Sequence, residues 1–244
     1  MSQQQQQWQG QAHEKDPRWS AVDEYAKQHL ITPADSPYYE ALNFAAKNQK
    51  AAGLPDIAVS PLQGKFLALQ CMLLNAKNAL EVGTLGGYST IWLASSSPDI
   101  RVTSIEVEAH NKEIAERAIA NANLSDRVEI LLGPGVEVMP KIRAEVHDSK
   151  REKFDFVFID ADKQNNLTYL HEAIETTRSK GLIIVDNVVR RGNTADAEMA
   201  KSDERVAGSR KVIEGAGKDP RLFSSVLQTV GEKNYDGFLL CVVR

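Results

Sequence analysis

Asp160, Asp162 and Lys163 follow directly on the apolar run Phe154 to Ile159, and Asp186 and Asn187 close a second apolar run, Gly181 to Val185. If those runs lie side by side, Asp160, Asp186 and Asn187 bring two carboxylates and an amide oxygen to one spot, a hard-oxygen set suited to Mg²⁺ or Ca²⁺. Lys163, three residues beyond the first aspartate, then stands beside the cation. The competing reading makes each segment an Asx turn that merely ends a strand. Finding the pattern at two strand ends favours a site.

The elements that must position these residues are legible around them. Hydrophobic runs of this length, rich in Val, Ile and Phe, suit buried parallel strands with helices on both faces, and open α/β sheets bind ligands at the carboxyl ends of such strands. From Ala79 onward strand and helix signals alternate. Strands are expected at Ala79–Val82, Arg101–Ile105, Arg127–Leu131, Phe154–Ile159 and Gly181–Asp186, with helices at Ser89–Ser95, around Ile114 to Ala122, around Leu167 to Ile174 and around Val206 to Ile213. Two final β runs, Leu222–Val230 and Tyr235–Val243, are linked by Gly231-Glu232-Lys233-Asn234, short enough for an antiparallel hairpin. Together these units predict a doubly wound, mostly parallel α/β sheet of seven strands with an antiparallel C-terminal edge.

Upstream, Met1 to Asp16 is polar and glutamine-rich and is expected to be a disordered tail, leaving residues 17–244 as a single domain. Two short helices broken near Pro33 and Pro37 should cap the sheet. Ser60-Pro61 opens a further packing helix, with Leu62, Phe66, Leu69 and Leu73 recurring along one face.

The chain has 244 residues, 42% of them hydrophobic, and a formal charge of −4. No basic field is available to attract nucleic acid, so small-molecule chemistry is the expectation. Cys71 and Cys241 lie in apolar surroundings and read as buried free thiols, in keeping with a reducing compartment. No apolar stretch reaches membrane-spanning length and no secretory pattern opens the chain, so a cytoplasmic protein without membrane partners is expected.

Glu81-Val82-Gly83-Thr84-Leu85-Gly86-Gly87-Tyr88-Ser89 joins the first strand to the next helix. Its glycines allow a tight bend close to a ligand. Their spacing matches neither the dinucleotide pattern nor a phosphate loop, which argues against a pyrophosphate. Glu81 is a carboxylate inside an apolar strand and must find partners. Glu106, at the end of the second strand, stands where an acid commonly binds a ribose diol. A ligand with a ribose and a cationic group but no phosphate meets these demands, and S-adenosylmethionine is such a ligand.

With those residues in view, the chain resembles the class I S-adenosylmethionine-dependent methyltransferases. More narrowly it resembles the cation-dependent O-methyltransferases, the group that includes caffeoyl-CoA O-methyltransferase and, more distantly, catechol O-methyltransferase. The resemblance is carried by Asn75 to Gly83, Gly87-Tyr88-Ser89, Gly133-Pro134, Phe154 to Lys163 and Gly181 to Asn187. It implies a Rossmann-like fold, a divalent cation on Asp160, Asp186 and Asn187 (Mg²⁺ first, Ca²⁺ or Mn²⁺ as alternatives), and Lys163 as the base. The implied cofactor contacts are Val59, Glu81, Gly83, Thr84, Ser89, Glu106, Gly135 and Asp162. Asp162 has a rival role as the cap of the following helix. Three positions depart from the family pattern: Gly86 where threonine is frequent, Glu106 where aspartate is, and Gly135 where alanine is.

By the same resemblance the cation would hold two oxygens of a vicinal aromatic diol and acidify the attacking hydroxyl, while nearby positive charge favours the neutral form of Lys163. The implied acceptor is a catechol or another polyhydroxylated phenol, and the implied assembly is a homodimer. Substrate choice is expected to lie in residues 20–59 and 188–204, where Arg190 and Arg191 could meet an acidic substrate. Two other classes remain in play: Mg²⁺-dependent phosphoryl transfer, which would want the paired aspartates on the first strand, and a cofactor-binding scaffold without turnover.

Overall fold

A computed structural model describes residues 16–34 and 37–244, so the expected disordered tail lies outside the described residues except for Asp16. Among the described residues, three helices precede the sheet: α1 (Pro17–Leu30), α2 (Tyr39–Ala51) and α3 (Pro61–Leu73). Asp16 caps α1 by accepting the amide of Arg18, with Pro17 in the first turn where its missing N–H costs nothing. Ser60 does the same for α3, its hydroxyl accepting the Gln63 amide at 3.2 Å, as the Ser-Pro signal predicts.

The face that α3 buries differs from the expected stripe. Gly64, Leu67, Ala68 and Cys71 pack inward, whereas Leu69 and Leu73 are exposed. The physical reason is Gly64, whose missing side chain lets the Trp92 indole lie against the helix backbone, so the Gly64 side docks, Phe66 of the expected stripe still packs on the core, and Leu69 and Leu73 face out. Likewise α1 buries no residue at all. Its docking relies on polar contacts to the hairpin turn, with Lys27 on Glu232 at 2.7 Å and the Glu232 amide on Asp23 at 2.7 Å.

The alternating part runs β1 (Asn78–Val82), α4 (Tyr88–Ser95), β2 (Arg101–Glu106), α5 (Ala109–Asn121), β3 (Val128–Leu132), α6 (Gly135–His147), β4 (Phe154–Ile159), a 3₁₀ turn (Lys163–Asn165), α7 (Asn166–Thr176) and β5 (Thr177–Asp186). It closes with a second 3₁₀ segment (Arg190–Ala195), α8 (Met199–Ser202), α9 (Glu204–Lys218), β6 (Leu222–Val230) and β7 (Tyr235–Val243). Sequence patterning gives no sign of α6, because Pro140 stands inside it as a breaker. Burial of Val138, Met139 and Ile142 against the sheet holds the helix in spite of it.

The seven strands are ordered β3-β2-β1-β4-β5-β7-β6, parallel from β3 through β5, with β7 antiparallel to both β5 and β6. That is the expected doubly wound sheet with its antiparallel hairpin. Strand β4 is buried along its whole length, and from Phe156 onward its side chains alternate between the two cores. Phe156 and Phe158 join residues of α2 to α5, while Val157 and Ile159 join residues of α6, α7 and α9. Truncating either phenylalanine to alanine should cost about 3–5 kcal/mol.

The register aligns the strand ends. Val82 sits opposite both Ile105 and Ile159, and Ile159 opposite Val185, so residues 83, 106, 160 and 186 share one edge of the sheet. The chain leaves β1 in one direction through β2 and β3 and returns to β4 on the other side, and such a switch point is where this architecture opens a crevice.

Candidate active site

The pairing of β4 with β5 brings Asp160 and Asp186 together, as expected. Lys163 folds back from the 3₁₀ turn and donates from Nζ to Asp160 Oδ1 at 2.6 Å, and its side chain is 4% exposed. Asn187 adopts a left-handed backbone, φ 57°, which asparagine tolerates better than most residues. From there both its backbone N–H (2.7 Å) and its Nδ2 (3.2 Å) donate to Asp186 Oδ1. Burial, and then the neighbouring charge of Asp160, push the Asp186 carboxyl above the usual carboxylate range, against the pull of Lys163. Among the described residues no group of three or more His, Cys, Asp or Glu side chains forms a cage. The side-chain oxygens gathered at these two strand ends belong to the carboxylates of Asp160 and Asp186 and the amide of Asn187.

Two supports hold this half in place. Asp236 accepts the backbone N–H groups of Val189, Arg190 and Gly237 at 3.0–3.1 Å, anchoring the loop that leaves Asn187. Helix α9 then presses on both strand ends. Gly208 lies so close to the Lys163 carbonyl that any Cβ there would collide with it, and the Ser209 hydroxyl reaches the Asn187 carbonyl at 3.3 Å.

The second half centres on β1. Glu81 is fully buried, and its Oε2 accepts the hydroxyls of Thr90 (2.5 Å) and Ser104 (2.6 Å). Thr84 extends the chain, its hydroxyl 2.6 Å from that of Ser104. Burial lifts the Glu81 carboxyl to about 7, opposed by the hydroxyls of Ser104, Ser89 and Thr90 and reinforced by Asp160. Its Oε1 is buried with no hydrogen-bond partner. Glu106 is also buried and accepts Leu85 N (2.7 Å), Glu108 N (2.9 Å) and Asn111 Nδ2 (3.3 Å). Gly83, at φ +103°, joins the halves: a Cβ on it would strike the Asp160 carbonyl.

The remaining expected residues fall around this core. Val59 is buried beside the Ser60 cap. Asp162 does not cap the following helix through its side chain. Its carboxylate accepts the Tyr169 hydroxyl and the Asn165 amide instead. The same tyrosine accounts for Gly135, since a Cβ there would sit 2.8 Å from the Tyr169 ring and 3.0 Å from Val82. Gly86 has a parallel explanation: a Cβ would meet Gln49 Oε1 at 2.5 Å, so the buried Gln49 side chain takes the space a threonine would need.

Sequence reasoning did not find Gln63, Gln49, Tyr169, Ser104, Thr90, Gly208 or Asp236. Tyr169 and Thr90 lie one helix away from their carboxylates and carry a weak local signal. Gln63 donates from Nε2 to Asp186 Oδ2 at 2.7 Å across 123 residues, and nothing in its surroundings in the chain announces that.

The arrangement offers an amine, paired carboxylates and an amide at one strand pair, beside two buried acids, Glu81 and Glu106, at the next. A sequence profile described as O-methyltransferase matches residues 32–243. The chain is 45% identical to the O-methyltransferase imqG of Aspergillus flavus, covering 95% of this chain and 94% of that protein. It is 40% identical to the catechol O-methyltransferase of Mycobacterium tuberculosis, with 91% and 95% covered. The O-methyltransferase of Bacillus cereus, solved in complex with SAH, superposes with a TM-score of 0.85 at 42% identity, covering 93% of this chain and 99% of that one.

Proposed function

Because this chain belongs to the class I S-adenosylmethionine-dependent O-methyltransferases, we propose that it methylates a hydroxyl of a catechol-type or polyhydroxylated phenol and does so with a divalent cation. One observation carries the reading: Asp160, Asp186, Asn187 and Lys163 converge at the carboxyl ends of two neighbouring strands, next to the buried acid Glu81.

The residues fit both groups. Glu81 Oε1, buried and without a partner, is an acceptor suited to the amino group of the cofactor. Glu106 already gathers three N–H donors on its two oxygens, which fixes the carboxylate for a ribose diol. Asp160 and Asp186 repel each other in a buried setting, a cost that a divalent cation relieves, and Asn187 adds a neutral oxygen. When bound there, Mg²⁺ would supply Lewis acidity toward the acceptor's hydroxyls.

Everything else is the work of the chain. Asp160, Asp186 and Asn187 set the position from which the acceptor oxygen faces the sulfonium methyl, and orientation alone accounts for several kcal/mol of such a barrier. Lys163 takes the phenolic proton at Nζ as the C–S bond breaks and the O–C bond forms. Gly83 admits no side chain between the halves, which keeps the donor and acceptor compartments adjacent.

Membership in this family supports methyl transfer over the phosphoryl-transfer alternative. A cytoplasmic homodimer completes the proposal. The buried free thiols Cys71 and Cys241 suit a reducing compartment, and the exposed Leu69, Met72 and Leu73 of α3 offer an apolar face for a second copy. Sedimentation at micromolar concentration as a monomer would remove the dimer. No helix among the described residues is long and apolar enough to cross a membrane. The acceptor is tested by screening catechols, flavonoids and hydroxycinnamoyl esters with methyl-labelled cofactor. Label should appear on vicinal diols, and label confined to monohydroxylated compounds would refute the diol reading.

A further inference from the structure

We propose that Gln63 is a positioning residue of the cation site, holding Asp186 in its ligating orientation from outside the ligand set. The inference rests on the cation reading above. It starts from α3, whose first turn is fixed by the Ser60 cap on the Gln63 amide. The next residue, Gly64, seats that turn against Trp92 with no room for a side chain, so the reach of Gln63 toward the sheet is set by rigid packing. From there Gln63 Nε2 donates to Asp186 Oδ2 at 2.7 Å.

The other oxygen, Asp186 Oδ1, is held by Asn187 N and Nδ2 at 2.7 and 3.2 Å. Both oxygens are therefore tied, and a rotation of the carboxylate breaks bonds on each side. Asp186 is 4% exposed, so solvent does not readily replace a lost donor. The two carboxylates are held by different means: Lys163 grips Asp160 with a charged donor, whereas Gln63 grips Asp186 with a neutral one. A neutral amide fits this position, since a second ammonium would repel the cation and a third carboxylate would add to the repulsion already present. Donors of this kind around metal ligands commonly contribute 10- to 100-fold in affinity.

The test uses Mn²⁺ alone as the probe. Its binding to the 244-residue protein is followed by electron paramagnetic resonance and calorimetry for the wild type, Asp186→Ala and Gln63→Met, which keeps the length of the side chain and removes the donor. S-adenosylhomocysteine affinity and the melting temperature are measured alongside. The expected result is Mn²⁺ binding in the wild type, none in Asp186→Ala, and binding weakened about 10- to 100-fold in Gln63→Met, with the other two readouts unchanged. Wild-type Mn²⁺ affinity in Gln63→Met overturns the proposal. So does a Gln63→Met protein that also loses its melting transition or its S-adenosylhomocysteine binding, because Gln63 is then a fold residue. A wild type that binds no Mn²⁺ overturns the cation reading itself, an outcome recognisable without the variant.

Discussion

The half of the site around Glu81 and the half around Asp186 are built from the same residue type in opposite ways. Glu81 and Glu106 take their donors from residues 85 to 111, a short stretch running from the turn after β1 into the first turn of α5. Asp160 and Asp186 take theirs from Lys163, Asn187 and the distant Gln63, and the loop that follows Asn187 is pinned by Asp236 near the C-terminus. The first half is a local network with one acceptor left over. The second is a tertiary assembly whose charges are held by its own lysine and a borrowed amide. The contrast teaches that cofactor binding should survive damage to the acceptor half, whereas the reverse damage should cost both.

The largest effect that could break this contrast comes from Asp186→Ala. It should reduce methyl transfer to background while S-adenosylmethionine affinity, measured by calorimetry, stays within about twofold; loss of cofactor binding as well would make the halves one unit. Next, Lys163→Met should lower kcat by roughly 10²-fold or more with an unchanged cofactor Kd, and it should alter the pH profile. An unchanged rate and profile would remove the base. Glu106→Gln should weaken cofactor binding about 10- to 100-fold, the scale of hydrogen bonds to a charged group, with a smaller effect on kcat.

The smallest effect concerns stability. In the ligand-free fold Glu81 keeps its proton up to about pH 7, whereas its ordinary value is 4.5. Between those values the folded state binds more protons than the unfolded chain, so this residue's contribution falls as pH rises and is fully unfavourable above 7. At pH 8 the cost is on the order of 3 kcal/mol. Glu81→Gln should therefore melt several degrees above the wild type at pH 8, and the gap should shrink toward pH 5. An equal gap at both pH values would show that burial does not shift Glu81.

How much of this was visible in the chain follows the same division. Strands β4, β6 and β7 stand where their apolar runs begin and end, because period and length are local properties. Asp160, Asp186 and Asn187 were legible because parallel strands put their carboxyl ends together once they are neighbours. Helix α6 was hidden by Pro140, since a breaker signal outweighs a short apolar face until the sheet is there to receive it. The buried side of α3 was misread because leucines dominate a sequence pattern while a glycine decides which face can approach Trp92. Gly86 and Gly135 looked like departures from a family pattern, and their reasons, Gln49 and Tyr169, are contacts made only in the fold. Gln63 had no local signature.

The central claim is that methyl transfer by this protein depends on a divalent cation held by Asp160, Asp186 and Asn187. The direct measurement is transfer of labelled methyl from S-adenosylmethionine to a catechol before chelation, after exhaustive chelation, and after Mg²⁺ is restored. The expected course is turnover, its loss, and its recovery on adding Mg²⁺. Turnover undiminished after chelation would contradict the claim.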